Sequence, residues 1–184
     1  LVVTQPSMIQ SQSHHANTEL VQELTENTVT GGVAMINHAL AERWRTLDNI
    51  IMHDWYLAVL ATAIGKLVYI DQPGELYRQH DNNVLGARTF TKRLKTWLSG
   101  PSKMLEKYWW LIHASQAQAD KILQENELGD EQEAVIRNYI ALERLPLSQR
   151  IRVLRQYKYA KNKWFHTMIF RLLIMTRIGN KNNK

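Results

Sequence analysis

The chain has 184 residues, 45% hydrophobic and 22% charged, an ordinary globular composition with enough apolar material for one domain, or one domain with an appendage. It contains no cysteine, which excludes a disulfide framework and thiolate metal sites and suits a cytosolic protein. The net charge of +6 is unevenly placed: Arg144 to Lys184 holds 11 Lys and Arg with no Asp or Glu, leaving 12 basic against 17 acidic side chains in the first 143 residues. An acidic body carries a basic tail.

The opening LVVTQPSMIQ has neither an initiator methionine nor a signal peptide, so the sequence is expected to belong to a longer chain. No apolar run reaches the roughly 18 to 20 residues of a membrane-crossing helix. Leu1 to Ile9 reads as a strand, with Pro6 limiting its useful length. Gln10 to Asn17 is polar and reads as a loop, in which the pair His14-His15 fits solvated surface better than a metal site. Thr18 to Leu24 suits a short helix. ENTVTGG, Glu26 to Gly32, has the composition of a turn, and the apolar Val33 to Ile36 follows. Asn37 is placed to cap a helix over HALAERW.

His53 to Lys66 is apolar almost all round, so a helix there is buried on most sides and ends near Gly65. Leu67 to Asp71 is strand-like. Gln72-Pro73-Gly74 reads as a turn, and Glu75 to His80 as a second strand. Beyond Asn83 the texture becomes helical: Phe90–Leu98, Lys103–Glu125, Glu131–Leu142, Leu147–Tyr159 and Ala160–Ile178 are separated by Gly100-Pro101, Gly129-Asp130 and Pro146. The expected organisation is a mixed α/β half over residues 1–87 and an all-helical half over 88–184.

Three places carry chemistry. Asp54 falls in the first turn of the buried helix, where free backbone N–H groups and the helix dipole favour an ionised carboxylate. That position fits both a helix-capping group and a general base for a hydroxyl. Along the strand Tyr77-Arg78-Gln79-His80, alternation puts Arg78 and His80 on one face. A guanidinium beside an imidazole suits a diphosphate, and equally a surface ion pair beside a satisfied histidine. Thr30-Gly31-Gly32 allows a sharp turn and close approach of a ligand to backbone, a weak signal alone.

Taken together, N-x-V-T-G-G-x-x-M-I-N (Asn27 to Asn37), M-H-D-W-Y (Met52 to Tyr56) and L-Y-R-Q-H-D-N-N-V-L-G (Leu76 to Gly86) resemble the C-terminal half of a family 2 glycosyltransferase of the rhamnosyltransferase-like branch. The resemblance implies an α/β fold: the C-terminal part of a Rossmann-like GT-A domain, followed by a helical extension. It further implies a nucleotide-diphosphate sugar donor (dTDP-L-rhamnose the first candidate), a divalent Mg or Mn ion and an inverting displacement at the anomeric carbon. On that likeness Asp54 is the base, Arg78 and Asn83 lie near the donor, and His80 is a metal ligand. Gly31 and Gly32 line the sugars, while His53 and Trp55 shape the acceptor pocket. Gly32 stands where the family often has cysteine. No D-x-D metal motif occurs in these residues, so most of the donor and metal site would lie before Leu1, and the fragment alone is expected to be inactive.

In the tail, Lys158 to Ile178 mixes aromatics and aliphatics with Lys and Arg, the composition of an interfacial helix on an anionic membrane. It equally fits a helix packed on the body with a solvated basic face. The charges form no phosphate-tracking stripe, so a nucleic-acid partner is not expected. The leading expectation is a cytoplasmic enzyme, peripheral on the inner face of a bacterial plasma membrane and acting on a lipid-linked saccharide or growing surface polysaccharide. The alternative is a non-catalytic helical module that binds membranes or acidic partners.

Overall fold

The structure is a computed structural model that describes residues 2–6, 19–45, 48, 50–75 and 100–180. Among the described residues helices dominate: α1 (Leu20–Glu23), α2 (His38–Arg43), α3 (His53–Ile64), α4 (Pro101–Glu125), α5 (Asp130–Ala141), α6 (Leu147–Tyr157) and α7 (Trp164–Thr176). A single turn of 3-10 helix spans Gly31–Val33. Strand structure among the described residues is limited to a three-stranded patch in the order β2-β1-β3, formed by Ala34–Met35, Val2–Pro6 and Val68–Glu75.

This corrects the expected α/β class. The described residues fold as a predominantly helical protein, not as a Rossmann-like GT-A domain. A Rossmann-like fold needs an extended parallel sheet covered by helices on both faces. Here one strand is two residues long and antiparallel, and β1 and β3 form a lone parallel pair from Val2↔Val68 onward. Short β-branched runs such as Leu-Val-Val make local strand pairs, but their strand propensity does not build a sheet. The expected turn at Gln72-Pro73-Gly74 is also corrected: β3 runs through it, and its pairing with β1 shifts register between Thr4 and Gln5 and again between Gln5 and Pro6. A bulge absorbs the proline, which has no N–H to donate to a ladder.

Local signals elsewhere act as read. Asn37 Oδ1 accepts the Leu40 N–H at 3.0 Å and starts α2. α3 buries residues on every side, from Asp54 to Ala63, and stops at Gly65. Pro101 begins α4 after Gly100, whose φ of 94° is open to glycine.

One continuous core joins the two halves of the sequence. Tyr56 and Leu60 of α3 pack in the same cluster as Ile122 of α4, Ile136 and Tyr139 of α5, Tyr159, and Phe170 and Ile174 of α7. Buried tyrosine hydroxyls within it are paired: Ser115 Oγ and Tyr139 Oη lie 2.6 Å apart, and Tyr159 Oη donates to the Val135 carbonyl at 2.6 Å. The boundary near residue 87 and the helix expected over Phe90–Leu98 lie outside the described residues.

Part of the basic tail is structural. Arg150, buried on α6, donates to the carbonyls of Ile174 and Met175 at the end of α7. Arg177 donates to the Leu145 carbonyl at 3.0 Å, and Arg171 to that of Tyr159 at 3.3 Å. The Ile174 and Met175 carbonyls are among those that the end of α7 leaves open, and Leu145 and Tyr159 lie in the links on either side of α6. No helix among the described residues is long and apolar enough to cross a membrane.

Candidate functional site

Two of the three motifs meet. Gly31 lies so close to the start of α3 that a Cβ there would fall 2.7 Å from His53 Nε2 and 3.5 Å from Asp54 Cβ. Only a residue without a side chain lets this loop close onto the His53-Asp54 pair in its present geometry. Gly32 beside it is exposed, as is His53.

Asp54 is buried to 9% exposure at the lip of the core. Its Oδ1 accepts the Trp55 backbone N–H at 2.9 Å, one of the N–H groups that the first turn of a helix leaves without intrahelical partners. The carboxylate thus sits at the positive end of the α3 dipole. Trp55, by contrast, points into the core at 3% exposure, and its indole N–H donates to the Glu23 carbonyl at 2.6 Å. It holds α3 against α1 from beneath the pair and presents almost no surface to an acceptor.

The loop is fixed by its own residues. Asn27 Oδ1 accepts the Val29 N–H at 3.0 Å, closing an Asx turn. Thr28 gives both its hydroxyl and its backbone N–H to the Glu23 carboxylate. Glu23 is fully buried. Burial pushes its carboxyl up to about 7, against the lowering effect of the two Thr28 bonds. Behind the loop, the α6–α7 link clasps the segment just after α1: Lys161 donates to the Thr25 carbonyl, and the Glu26 carboxylate accepts the Asn162 N–H at 2.7 Å. Lys161 is largely desolvated, which lowers the pKa of its ammonium, with Glu26 opposing that shift. On the other side, Gln118 of α4 accepts the N–H groups of Ile51 and Met52, at 3.1 and 3.4 Å, just before His53.

Sequence reasoning missed this support. Glu23 falls on the apolar side of α1, between Leu20 and Leu24, and an acid at such a position was the one legible sign. The clasp and the Gln118 brace join segments more than 60 residues apart, and nothing local in the sequence marks them.

Arg78, His80 and Asn83 lie outside the described residues. Among the described residues no three His, Asp or Glu side chains gather into a metal-binding group. A cavity of about 570 Å³ opens at the opposite end of α3, lined by Leu20, Thr62, Lys66, Leu67, Glu131 and Val135. At 1.5 Å per residue it lies on the order of 12 Å along the helix from Asp54, and Asp54 does not line it. Comparison of the chain with protein-family models, curated proteins and solved structures finds no match.

Proposed function

We propose that the chain supplies the acceptor side of an inverting glycosyl transfer, with Asp54 as the base. In this reading an acceptor hydroxyl docks against the exposed His53 and Gly32, and Asp54 Oδ2 takes its proton. The acceptor oxygen then forms a bond to the anomeric carbon of a nucleotide-diphosphate sugar. The bond from that carbon to the diphosphate breaks, and the nucleoside diphosphate departs with the electron pair. One base suffices, because inversion is a single displacement.

The observation that supports the reading is the approach of Gly31 to His53 and Asp54. It brings two motifs 22 residues apart onto one edge of the core, with a carboxylate at a helix N-terminus. Arg78, His80 and Asn83, the donor diphosphate and any divalent ion with it are assigned to residues beyond those described. L-Rhamnose from a dTDP donor and a lipid-linked saccharide acceptor are the preferred pair. The setting is the cytoplasm, at the inner face of a bacterial plasma membrane. On this reading the 184 residues alone do not turn over donor.

The test is Asp54→Asn in a protein that carries the donor-binding part. Transfer should fall by about 10²- to 10⁴-fold, the usual weight of a general base, with donor binding intact. Turnover near that of the wild type would end the assignment. The helical fold favours a second reading, a non-catalytic binding module, and that reading predicts no change in transfer in this variant.

A further inference from the structure

α7 has two apolar faces, and only one has a partner inside the protein. At 3.6 residues per turn, Phe170, Leu173 and Ile174 share a face that is buried in the core. Trp164, Phe165, Met168 and Leu172 lie within an arc of roughly 100° on the opposite face. Trp164 is 73% exposed, and the other three are more than half exposed. A bulky aromatic and aliphatic stripe of this kind on a surface marks a contact site.

Its surroundings say what would cover it. Arg150 near the start of α6 bonds the last carbonyls of α7, so the two helices run antiparallel. The end of α6 and the start of α7 therefore lie together. Arg155, Lys158 and Lys163 gather at that end, all exposed, beside Trp164 and Phe165. Glu26, the carboxylate placed against the link, is engaged by the Asn162 N–H and faces Lys161. From Arg144 to the end of the sequence there is no acidic side chain. Arg150, Arg171 and Arg177 take no part, since they serve carbonyls within the fold.

We propose that this face of α7 docks on an anionic lipid surface, with Trp164 and Phe165 entering the headgroup boundary, Met168 and Leu172 following along the helix, and Arg155, Lys158 and Lys163 meeting the phosphates. Indole and phenyl rings favour that boundary, and cations beside them add attraction that salt screens. The helix lies in the interface and does not cross it. The inference stands on α7 and its flanks and makes no use of Asp54, so transfer and lipid binding can fail separately.

The experiment is co-sedimentation of the full 184-residue chain with phosphatidylcholine vesicles, with and without phosphatidylglycerol. Binding should require the anionic lipid and weaken with salt. Trp164→Ser with Phe165→Ser should reduce it by about tenfold or more. Lys158→Gln and Lys163→Gln should each weaken it on the order of fivefold. These side chains are exposed, so circular dichroism should not change. As an independent readout, brominated phosphatidylcholine in the anionic vesicles should quench tryptophan fluorescence, and Trp164→Phe should remove most of the quenchable part. The proposal is overturned by an absence of binding, or by binding that the aromatic pair does not affect. It is equally overturned if that pair abolishes a concentration-dependent dimer, because the stripe would then be covered by a second copy.

Discussion

Replacing Glu23 by glutamine should change how stability depends on pH. The Glu23 carboxyl is buried and its pKa stands at about 7, against 4.5 for the free group. A raised pKa means that the folded state prefers the protonated acid. The corresponding stability is fully present below about pH 4.5, falls as pH rises, and is lost once pH passes about 7. The difference of about two and a half pKa units corresponds to on the order of 3 kcal/mol. Glutamine keeps one carbonyl oxygen to accept from Thr28, which the wild type meets with two carboxylate oxygens, and it cannot ionise. Urea unfolding of both proteins at pH 4.5 and pH 8.5 reads the effect. Glu23→Gln should be close to the wild type at the lower pH and more stable by up to about 3 kcal/mol at the higher. Parallel pH profiles for the two proteins would refute the account of this carboxyl.

Three further substitutions test the support around the site and the tail. Asn37→Ala removes the cap of α2 and should cost about 1 kcal/mol in urea unfolding; no loss would mean that the Leu40 N–H finds another acceptor. Gly31→Ala places a methyl against the exposed His53 ring, which can swing aside. Stability should change by less than about 1 kcal/mol, while the His53 imidazole resonances shift in a proton–nitrogen spectrum; an unmoved His53 would contradict the close approach. Arg150→Met leaves the last carbonyls of α7 without their donor and should cost about 2 kcal/mol. It should leave vesicle binding per folded molecule unchanged, since Arg150 faces inward.

Where structure is dictated locally, it was legible. The asparagine cap, the all-round apolar α3, and the Gly-Pro and Gly-Asp breaks around α4 and α5 act through the residues that carry them. The fold class was not legible, because short β-branched segments look alike whether they pair once or build a wide sheet. Pro73 reads as a turn in isolation, yet a bulge against β1 carries it within a strand. The tail's cations look lipid-seeking in sequence, but the partners of Arg150, Arg171 and Arg177 are backbone carbonyls, which no side-chain pattern announces. In the site, the adjacent glycines suggest close approach of a ligand to the backbone, whereas what lies against Gly31 is the chain's own His53-Asp54 pair. Trp55 was expected at an acceptor pocket because it adjoins the base. Helical geometry instead turns it 100° from Asp54, into the core.

The central claim is that the carboxylate at the start of α3 removes the acceptor proton. Its most direct measurement compares wild type and Asp54→Asn, each in a protein containing the donor-binding part, under saturating donor and acceptor, with donor affinity measured alongside. The account predicts a fall in kcat of about 10²-fold or more and an unchanged donor Kd. A kcat within a few-fold of the wild type would contradict it.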